Sequence, residues 1–382
     1  MALQSSGQIS LNDIHLEVGG STTTQVSLND SDVRALIGKA SGAQNSFDEY
    51  YGASSNVELS IPDSGTNING QSQLQEITVS DYISSGGQLT IPSSLWIWSD
   101  STSTAALTID IPCTIVNNGK IIGKGGAGGG TTNVSITSPT AAQNAGEAGG
   151  HAIKINSSVS GVTITNNSGA YIAGGGGGGG GASVGPLHGD SDYYTKAGGG
   201  GGAGGGAGQS SYRKNNDLFF SGGAGGVLNA AGGNGGASGA SGGVGGDGGG
   251  GGGISVSANA SFGRAGGAGG GGRNIVGSLG ADGLVDPNGG DGAADASSTL
   301  RGGGGAGFNI NPANSVGNGG TGVNGGFGGV HGGGGGGWGG AGGSGGGASG
   351  VFGAGGAAGK AIEDSGNSYT LTNNGTIYGA TT

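Results

Sequence analysis

The sequence predicts a mostly β or irregular fold: a small N-terminal module, layers of β-strands, and a packed glycine-rich domain with protruding loops. Glycine supplies 107 of the 382 residues, about four times its usual share. Glycine-rich runs recur between residues 174 and 359, and short segments of alternating apolar residues precede them. The predicted divisions are residues 1–53, a β-rich base at 54–173, the glycine-rich body at 174–359, and a C-terminal strand repeat at 360–382.

The glycine runs favour packed polyglycine II helices, and a flexible linker is the alternative. Such a helix turns every three residues and rises about 3.1 Å per residue, so that ten residues span roughly 30 Å. Because glycine has no Cβ, neighbouring helices can pack backbone against backbone and exchange hydrogen bonds. One isolated run would not offset an ordering cost of roughly 1–2 kcal/mol per residue. Several runs side by side share their hydrogen bonds and contacts.

The composition excludes several classes of protein. There is no strict Gly-X-Y period and there are only seven prolines, so the chain is not a collagen. A net charge of −11 disfavours nucleic acid as a partner, because phosphate binding requires clustered basic residues. Cys113 is the single cysteine, which excludes an intrachain disulfide. No signal peptide and no membrane-spanning apolar run is visible, so we expect no membrane insertion.

Residues 1–53 contain a motif in which a serine is followed within one turn by acidic residues. Its copies begin at Ser10, Ser27 and Ser46. This pattern is typical of a helix N-cap. The clearest predicted helix runs from about Leu28 or Asn29 to Ile37 and stops at Gly38. We interpret the acidic residues as caps; a catalytic carboxylate pair is the alternative, but no histidine or nucleophile accompanies them.

Four short segments carry a resemblance to a known module. They are residues 9–14 (ISLNDI), 17–20 (EVGG), 26–30 (VSLND) and 47–52 (FDEYYG). This stretch, about one seventh of the chain, resembles the N-terminal module of many tailed-bacteriophage structural proteins. The resemblance implies that residues 1–53 attach the protein to other phage tail proteins.

Alternating apolar residues predict strands at 57–61, 89–91 and 107–111. Trp96 and Trp98 fall on one face of a strand. Packing on a sheet face is the favoured interpretation, and a platform for stacked sugars is the alternative.

A ten-residue segment occurs three times, beginning at Thr114, Thr163 and Thr370. Residues 150–153 and 359–362 are a second matching pair, which precedes the last two copies. The repeats predict stacked strand layers that tie both ends of the glycine-rich body to one base. The Asn-Gly pair at 118–119 also predicts a tight hairpin between the flanking strands.

No motif supports catalysis, a cofactor or a metal. Gly-x-Gly-x-x-Gly matches carry no information in this composition. A phosphate-loop candidate ending at Lys360 has Ala354 where the first glycine belongs and lacks the Ser or Thr. Residues 242–247 resemble a calcium-binding nonapeptide but have no tandem copies. The four aspartates between residues 282 and 295 are interpreted as a solvated loop, with calcium as the alternative, and the four histidines are scattered.

Aromatic and basic residues occupy the segments between glycine runs, where a glycine body offers little core to bury them. These are the residue types of binding hot spots. The candidate binding residues are Leu187, His188, Tyr193, Tyr194, Tyr212, Arg213, Lys214, Phe219 and Phe220. The alternative is that these rings fold back onto the body. Phe327, Trp338 and Phe352 lie within the glycine tract and are expected to pack.

The alternation of glycine-rich motifs and loops resembles the distal adhesin on the long tail fibres of T-even phages, over roughly half the chain. In that family the glycine motifs pack as polyglycine II helices and the loops bind outer-membrane receptors. The family's Trp-rich attachment domain is not recognisable here, and residues 1–53 stand in its place. The resemblance implies a virion tail protein, made in the host cytoplasm.

We therefore expect a non-enzymatic adhesin that binds a host surface receptor, an outer-membrane protein or lipopolysaccharide, and that binds no nucleic acid. The alternative is a purely structural tail component whose loops contact other tail subunits. A depolymerase would need a carboxylate pair in a groove, and the sequence offers no candidate.

Overall fold

The structure, a computed structural model, describes most of the N-terminal half of the chain and the C-terminal residues. The described residues are 3–4, 6–37, 39–40, 42–53, 55–59, 72–130, 140–184, 195–209, 211–213, 218–220, 224, 237–238, 253–254, 265–266, 330–347 and 350–382. The β-rich class is confirmed, since short strands make up most of the regular structure and the helices are few.

Residues 3–53 form a small helical module around its own core. Its helices are α1 (Leu11–Glu17), α2 (Ser31–Ala35) and a 3-10 helix (Phe47–Tyr50). Its fully buried apolar side chains are Ile14, Val33 and Tyr50. Two of the three predicted serine caps are confirmed, because Ser10 and Ser46 each form a capping box with the acidic residue three positions later.

The predicted helix from Leu28 or Asn29 to Ile37 is wrong in its bounds, because Asp30 and not Ser27 is the N-cap of α2. The Asp30 carboxylate accepts the Ser27 N–H across 2.8 Å, and the Ser27 carbonyl accepts the Asp30 N–H across 3.0 Å. Residues 27–30 therefore close a separate turn before the helix begins.

The chain then winds into a parallel β-helix with three faces. The first sheet contains β1 (Asn56–Glu58), β4 (Gln88–Ile91), β7 (Thr114–Asn117), β10 (Val162–Asn166) and β23 (Tyr369–Asn373). The second contains β2 (Ser72–Gln75), β5 (Leu95–Trp98), β8 (Lys120–Ile122), β11 (Tyr171–Ala173) and β24 (Thr376–Tyr378). The third contains β3 (Ile77–Thr78), β6 (Leu107–Ile109), β9 (Ile153–Ile155) and β22 (Ile362–Glu363). Each circuit of the chain adds one strand to each sheet in turn, so the circuits stack as rungs.

The rungs stack because the same inward-facing pattern recurs in each of them. The three copies of the predicted repeat pair in register, so that Thr163 lies between Thr114 and Thr370. Ile153 likewise pairs with Ile362. These pairings confirm the prediction of stacked layers that join both ends of the glycine-rich body. The enclosed core consists mainly of Ile, Leu and Val side chains from all three sheets.

The hairpin predicted at Asn118-Gly119 is wrong, because β7 and β8 belong to different sheets and pair with parallel neighbours. The Asn117 side-chain carbonyl accepts the Gly119 N–H across 3.0 Å, which bends the chain at a corner of the β-helix without reversing it. A Cβ on Gly119 would lie 2.4 Å from the Leu95 carbonyl oxygen of the preceding rung. The glycine is therefore required by stacking and not by a hairpin turn.

The glycine-rich segments leave the β-helix at one corner, between the second and third sheets. One excursion connects β8 to β9, and a longer one connects β11 to β22. The segment 174–181, which follows β11, is completely buried.

The N–H groups of residues 174–181 donate to neighbouring segments in a three-residue cycle. The Gly174 N–H donates to the Tyr378 carbonyl. The remaining N–H groups donate to carbonyls in segments 144–150, 200–203 and 340–343. The carbonyls of the same run accept from segments 126–129, 333–339 and 353–359. All these bonds measure 2.6–2.9 Å between nitrogen and oxygen. Six extended segments thus surround the run, and its backbone groups are satisfied.

Two antiparallel sheets adjoin the glycine-rich segments. One has the order β15-β14-β13-β12-β21 and comprises β12 (Ala182–Val184), β13 (Thr195–Ala197), β14 (Ser211–Arg213), β15 (Leu218–Phe220) and β21 (Val351–Phe352). The other has the order β16-β18-β17-β19-β20 and comprises β16 (Ala237–Ser238), β17 (Gly253–Ile254), β18 (Ala265–Gly266), β19 (Val330–His331) and β20 (Gly346–Gly347).

Candidate functional site

The glycine-rich segments have a proximal end beside the β-helix and a distal end away from it. Segment 174–181 begins directly after β11 and runs directly into β12. The antiparallel segment 353–359 begins after β21 and returns to β22. Strands β12 and β21 pair with each other, which aligns the distal ends of these two segments.

The proximal end rests on the outer face of the second sheet of the β-helix. Trp96 and Trp98 of β5 point outward there, while their neighbours Leu95 and Ile97 face the core of the β-helix. From the glycine-rich side, Trp338 and Ala203 pack into the same apolar cluster. The predicted sheet-face packing of the two tryptophans and the predicted packing of Trp338 are both confirmed. This cluster joins the glycine-rich segments to the β-helix.

The two segments that lead into β9 and β22 are adjacent and are linked by polar side chains. We call this cluster, which consists of His151, Lys360 and Glu363, the polar neck. The Nδ1 atom of His151 accepts the Lys360 N–H across 3.0 Å, and Lys360 Nζ lies 2.6 Å from the Glu363 carboxylate. The Lys360 hydrogen bond lowers the pKa of Glu363. Burial lowers the pKa of His151, against the opposing effect of Glu363. The neutral imidazole therefore holds the two returning segments together.

Close packing leaves no room for side chains at the buried glycines. A Cβ on Gly178 would lie 1.9 Å from the Ala127 carbonyl oxygen, and one on Gly356 would lie 1.9 Å from that of Glu147. In segment 353–359 every third residue is buried and is glycine, whereas Ala354 and Ala357 are exposed. The pattern of glycine and alanine thus follows the three-residue cycle of the hydrogen bonds.

At the distal end, the side-chain amide of Asn144 forms hydrogen bonds that connect its own segment to β12 and β21. Asn144, which is almost completely buried, donates its Nδ2 to Ser183 Oγ across 3.0 Å and to the Val351 carbonyl across 2.9 Å. The predicted residues do not include Asn144. The only signal was an asparagine that ends a polar stretch just before a glycine-rich segment.

The predicted binding residues fall into two groups. Leu187, His188, Tyr193, Tyr194 and Lys214 lie outside the described residues, in the connections between β12 and β13 and between β14 and β15. Tyr212, Arg213, Phe219 and Phe220 lie on β14 and β15. For these four positions the prediction of a loop is wrong, because they form a paired hairpin in which Tyr212 is directly opposite Phe219.

The antiparallel register brings this hairpin into the same sheet as the end of segment 174–181. Lys196 of β13 pairs with both Ser183 of β12 and Tyr212 of β14. The backbone at Tyr212 is therefore two strands away from the distal end of the central glycine segment. Phe327 lies outside the described residues, and Phe352 is only partly buried.

The described residues carry little that suggests reaction chemistry. Among them, no three His, Cys, Asp or Glu side chains gather in a set that could hold a metal ion. Burial, with a smaller effect of Asp110, raises the pKa of the Cys113 thiol to about 12, which disfavours the reactive thiolate. None of the described helices has the length and apolar character needed to cross a membrane.

The β-helix and the glycine-rich segments together form a scaffold that carries the short paired strands β12 to β15 and β21 at its end away from the β-helix. The family described as phage tail fibre adhesin Gp38 matches residues 56–248, about half of the chain. The chain belongs to this family of tail fibre adhesins, which confirms the predicted relationship to phage tail fibres. No curated protein and no solved structure matches the chain.

Proposed function

We propose that this tail fibre adhesin binds a receptor on the surface of the host cell through the distal end of its glycine-rich body. The supporting observation is the arrangement of the chain around segment 174–181. Its neighbours run between the β-helix and antiparallel strands, and the candidate residues lie on those strands or in the connections between them. A binding surface at that end would stand clear of the β-helix.

The proposed scaffold of this surface is a bundle of polyglycine II helices. A three-residue cycle of hydrogen bonds to six neighbours is the arrangement expected when helices with three residues per turn pack side by side. The predicted clashes of a Cβ at the buried glycines support the same geometry. Such a bundle fixes many backbone hydrogen bonds and leaves the connecting segments free to vary.

The proposed recognition residues are the nine named from the sequence. Tyr and Phe rings supply large apolar areas with few rotamers to restrict, and Arg213 can pair with carboxylates or phosphates of a receptor. Recognition of this kind requires no catalysis, so we propose that the protein is not an enzyme. An outer-membrane protein or lipopolysaccharide is the proposed receptor.

Residues 1–53 are the proposed attachment module, and they precede the residues matched by the adhesin family. Their separate core fits a unit that docks on another tail protein. The alternative is a structural tail component whose distal residues contact other tail subunits, and the paired strands β14 and β15 are compatible with that role as well. The two proposals differ in whether the isolated protein binds cells.

Competition for adsorption tests the proposed function. Purified protein, added to host cells before the phage that encodes it, should reduce the adsorption rate in a dose-dependent manner. The same protein should leave adsorption of a phage with a different receptor unchanged. If the folded protein does not bind host cells and does not slow adsorption, the adhesin proposal is wrong and the structural alternative replaces it.

A further inference from the structure

A cleft of about 360 Å³ separates the N-terminal module from the first rungs of the β-helix. One wall belongs to the N-terminal module. It contains Asp32 of α2, Leu36 directly after α2, and Val18 directly after α1. The other wall is the segment 80–85, which follows β3. The volume is at the small end of the range for binding pockets, so it suits a few side chains of an extended segment.

Hydrogen bonds hold each wall to the β-helix: they are partly buried on the side of the N-terminal module and exposed on the side of segment 80–85. Ser55 donates its N–H to the Glu17 carboxylate across 3.0 Å and its hydroxyl to the Glu17 carbonyl across 2.6 Å. Ser80 donates its N–H and its hydroxyl to the Asp110 carboxylate across 3.1 and 2.6 Å. The cleft is thus preformed, which lowers the cost of ordering it when a ligand binds.

The chemistry of the cleft combines aliphatic surface with uncompensated negative charge. Leu36, Val57 and Ile83 supply the aliphatic surface. Asp32 and Asp81 supply one carboxylate on each wall, and neither forms an ion pair within the described part of the chain. A ligand that places a cation between these carboxylates, beside an apolar group, would satisfy both features.

Exposed apolar side chains are concentrated around this end of the molecule. Among the described residues, the exposed large apolar side chains are Leu16, Phe47, Tyr51, Tyr82 and Val351. The first three belong to the N-terminal module, and Tyr82, which is 36 % exposed, lines the cleft. Tyr82 therefore adds a partly exposed aromatic ring to the lining of the cleft.

We propose that the cleft binds an extended segment of a neighbouring tail protein that carries a lysine or arginine beside a small apolar side chain. This inference rests on the proposed attachment role of residues 1–53 and identifies the partner chemistry of that attachment. The basic side chain would lie between Asp32 and Asp81, and the apolar side chain would contact Leu36 and Ile83. An anionic segment is disfavoured by repulsion from both carboxylates and from a chain of net charge −11.

Reassembly on phage particles that lack this protein tests the inference. Purified wild-type protein and three variants are added to such particles, and the bound protein is quantified after sedimentation. Asp32→Asn with Asp81→Asn removes the charges, and Ser84→Trp fills the cleft. Glu58→Gln is the control, because it removes one negative charge from the exposed residue beside Val57, outside the lining of the cleft.

The double asparagine variant and the tryptophan variant should each bind at least about tenfold more weakly than the wild type. The control should bind like the wild type, and binding of the wild type should weaken as salt is raised. All variants should bind host cells equally, which verifies that they are folded.

The outcomes separate the inference from the proposal on which it rests. If wild-type protein binds cells but does not rejoin particles, the attachment proposal fails together with this inference. If the wild type and both cleft variants bind the particles equally, the attachment proposal is retained, but the cleft is excluded as the site that binds the neighbouring tail protein. If only the tryptophan variant fails, the occupant is not basic and the stated partner chemistry is wrong.

Discussion

The side-chain Nδ2 of Asn117 donates to the side-chain carbonyl of Asn166 across 2.9 Å, and both residues are completely buried. Asn166 in turn donates to Asn373 across 2.8 Å, one rung further along. The three asparagines occupy the same register position in β7, β10 and β23. They form a ladder that links rungs on both sides of the longer glycine-rich excursion.

Asn166→Ala should therefore lower the free energy of unfolding of the β-helix by about 2 kcal/mol. The substitution removes both ladder bonds and leaves the buried Asn117 amide without that acceptor. Thr165→Ala is the matched control, because its side chain lies on the outer face of the same strand and is only partly buried. Urea titration followed by circular dichroism measures both, and equal midpoints would show that the ladder is not stabilising.

Packing of the glycine-rich segments predicts that valine destabilises the fold far more at one of two adjacent residues than at the other. Gly356→Val should destabilise the body by about 3 kcal/mol or more, because its Cβ would meet the Glu147 carbonyl 1.9 Å away. Ala357→Val, at the next and exposed position, should cost less than about 1 kcal/mol. Thermal unfolding of the two variants compares them directly. Equal effects of the two substitutions would contradict the close-packed arrangement.

The polar neck predicts a loss of stability on acidification. The pKa of His151 is lower in the folded chain, mainly through burial, so the unfolded chain binds more protons as the pH falls through about 6.5. Stability should therefore decrease from pH 7 to pH 5. His151→Asn keeps an acceptor for the Lys360 N–H and removes the titrating group, so its stability should change less over this range.

The charges of Lys154, Lys360 and Glu363 also affect the pKa of His151. All three residues remain in the His151→Asn variant. The pKa of Glu363 is lowered, so its contribution is present above the unfolded value and is lost at lower pH. Urea midpoints at pH 7 and pH 5 give the comparison. The same pH dependence in the wild type and in His151→Asn would mean that His151 is not the responsible group.

Parts of this fold could be predicted from the sequence because they depend on local repetition. The segments at Thr114, Thr163 and Thr370 share a pattern because each must place the same side chains inside one rung. The hairpin predicted at Asn118-Gly119 is a corner of the β-helix, because an Asn-Gly pair suits both geometries. Only contact with the preceding rung, at the Leu95 carbonyl, distinguishes them.

The candidate site was less accessible to sequence reasoning. Glycine runs are nearly identical to one another, so no residue indicates that segment 174–181 is the central one. Strands such as β12 and β14 have only three residues, which is too short to show a period. The positions of Asn144 and of the cleft beside Tyr82 depend on contacts between segments far apart in the chain.

The proposed role of the distal end of the glycine-rich body is receptor recognition. Binding of purified protein to host cells tests it most directly, because the measurement does not depend on assembly into the virion. The test variants are Phe219→Ala with Phe220→Ala, and separately Tyr193→Ala with Tyr194→Ala. The control replaces Phe47 and Tyr82 by alanine. Both are exposed aromatic residues, and both precede the glycine-rich body in the sequence.

Loss of a central aromatic anchor costs on the order of 2 kcal/mol, or roughly thirtyfold in affinity. We predict that at least one of the two test variants loses about thirtyfold or more in apparent affinity for host cells, while the control binds like the wild type. All variants should retain the thermal unfolding of the wild type. If both folded test variants bind cells with the affinity of the wild type, these four aromatic residues are not the receptor-binding surface.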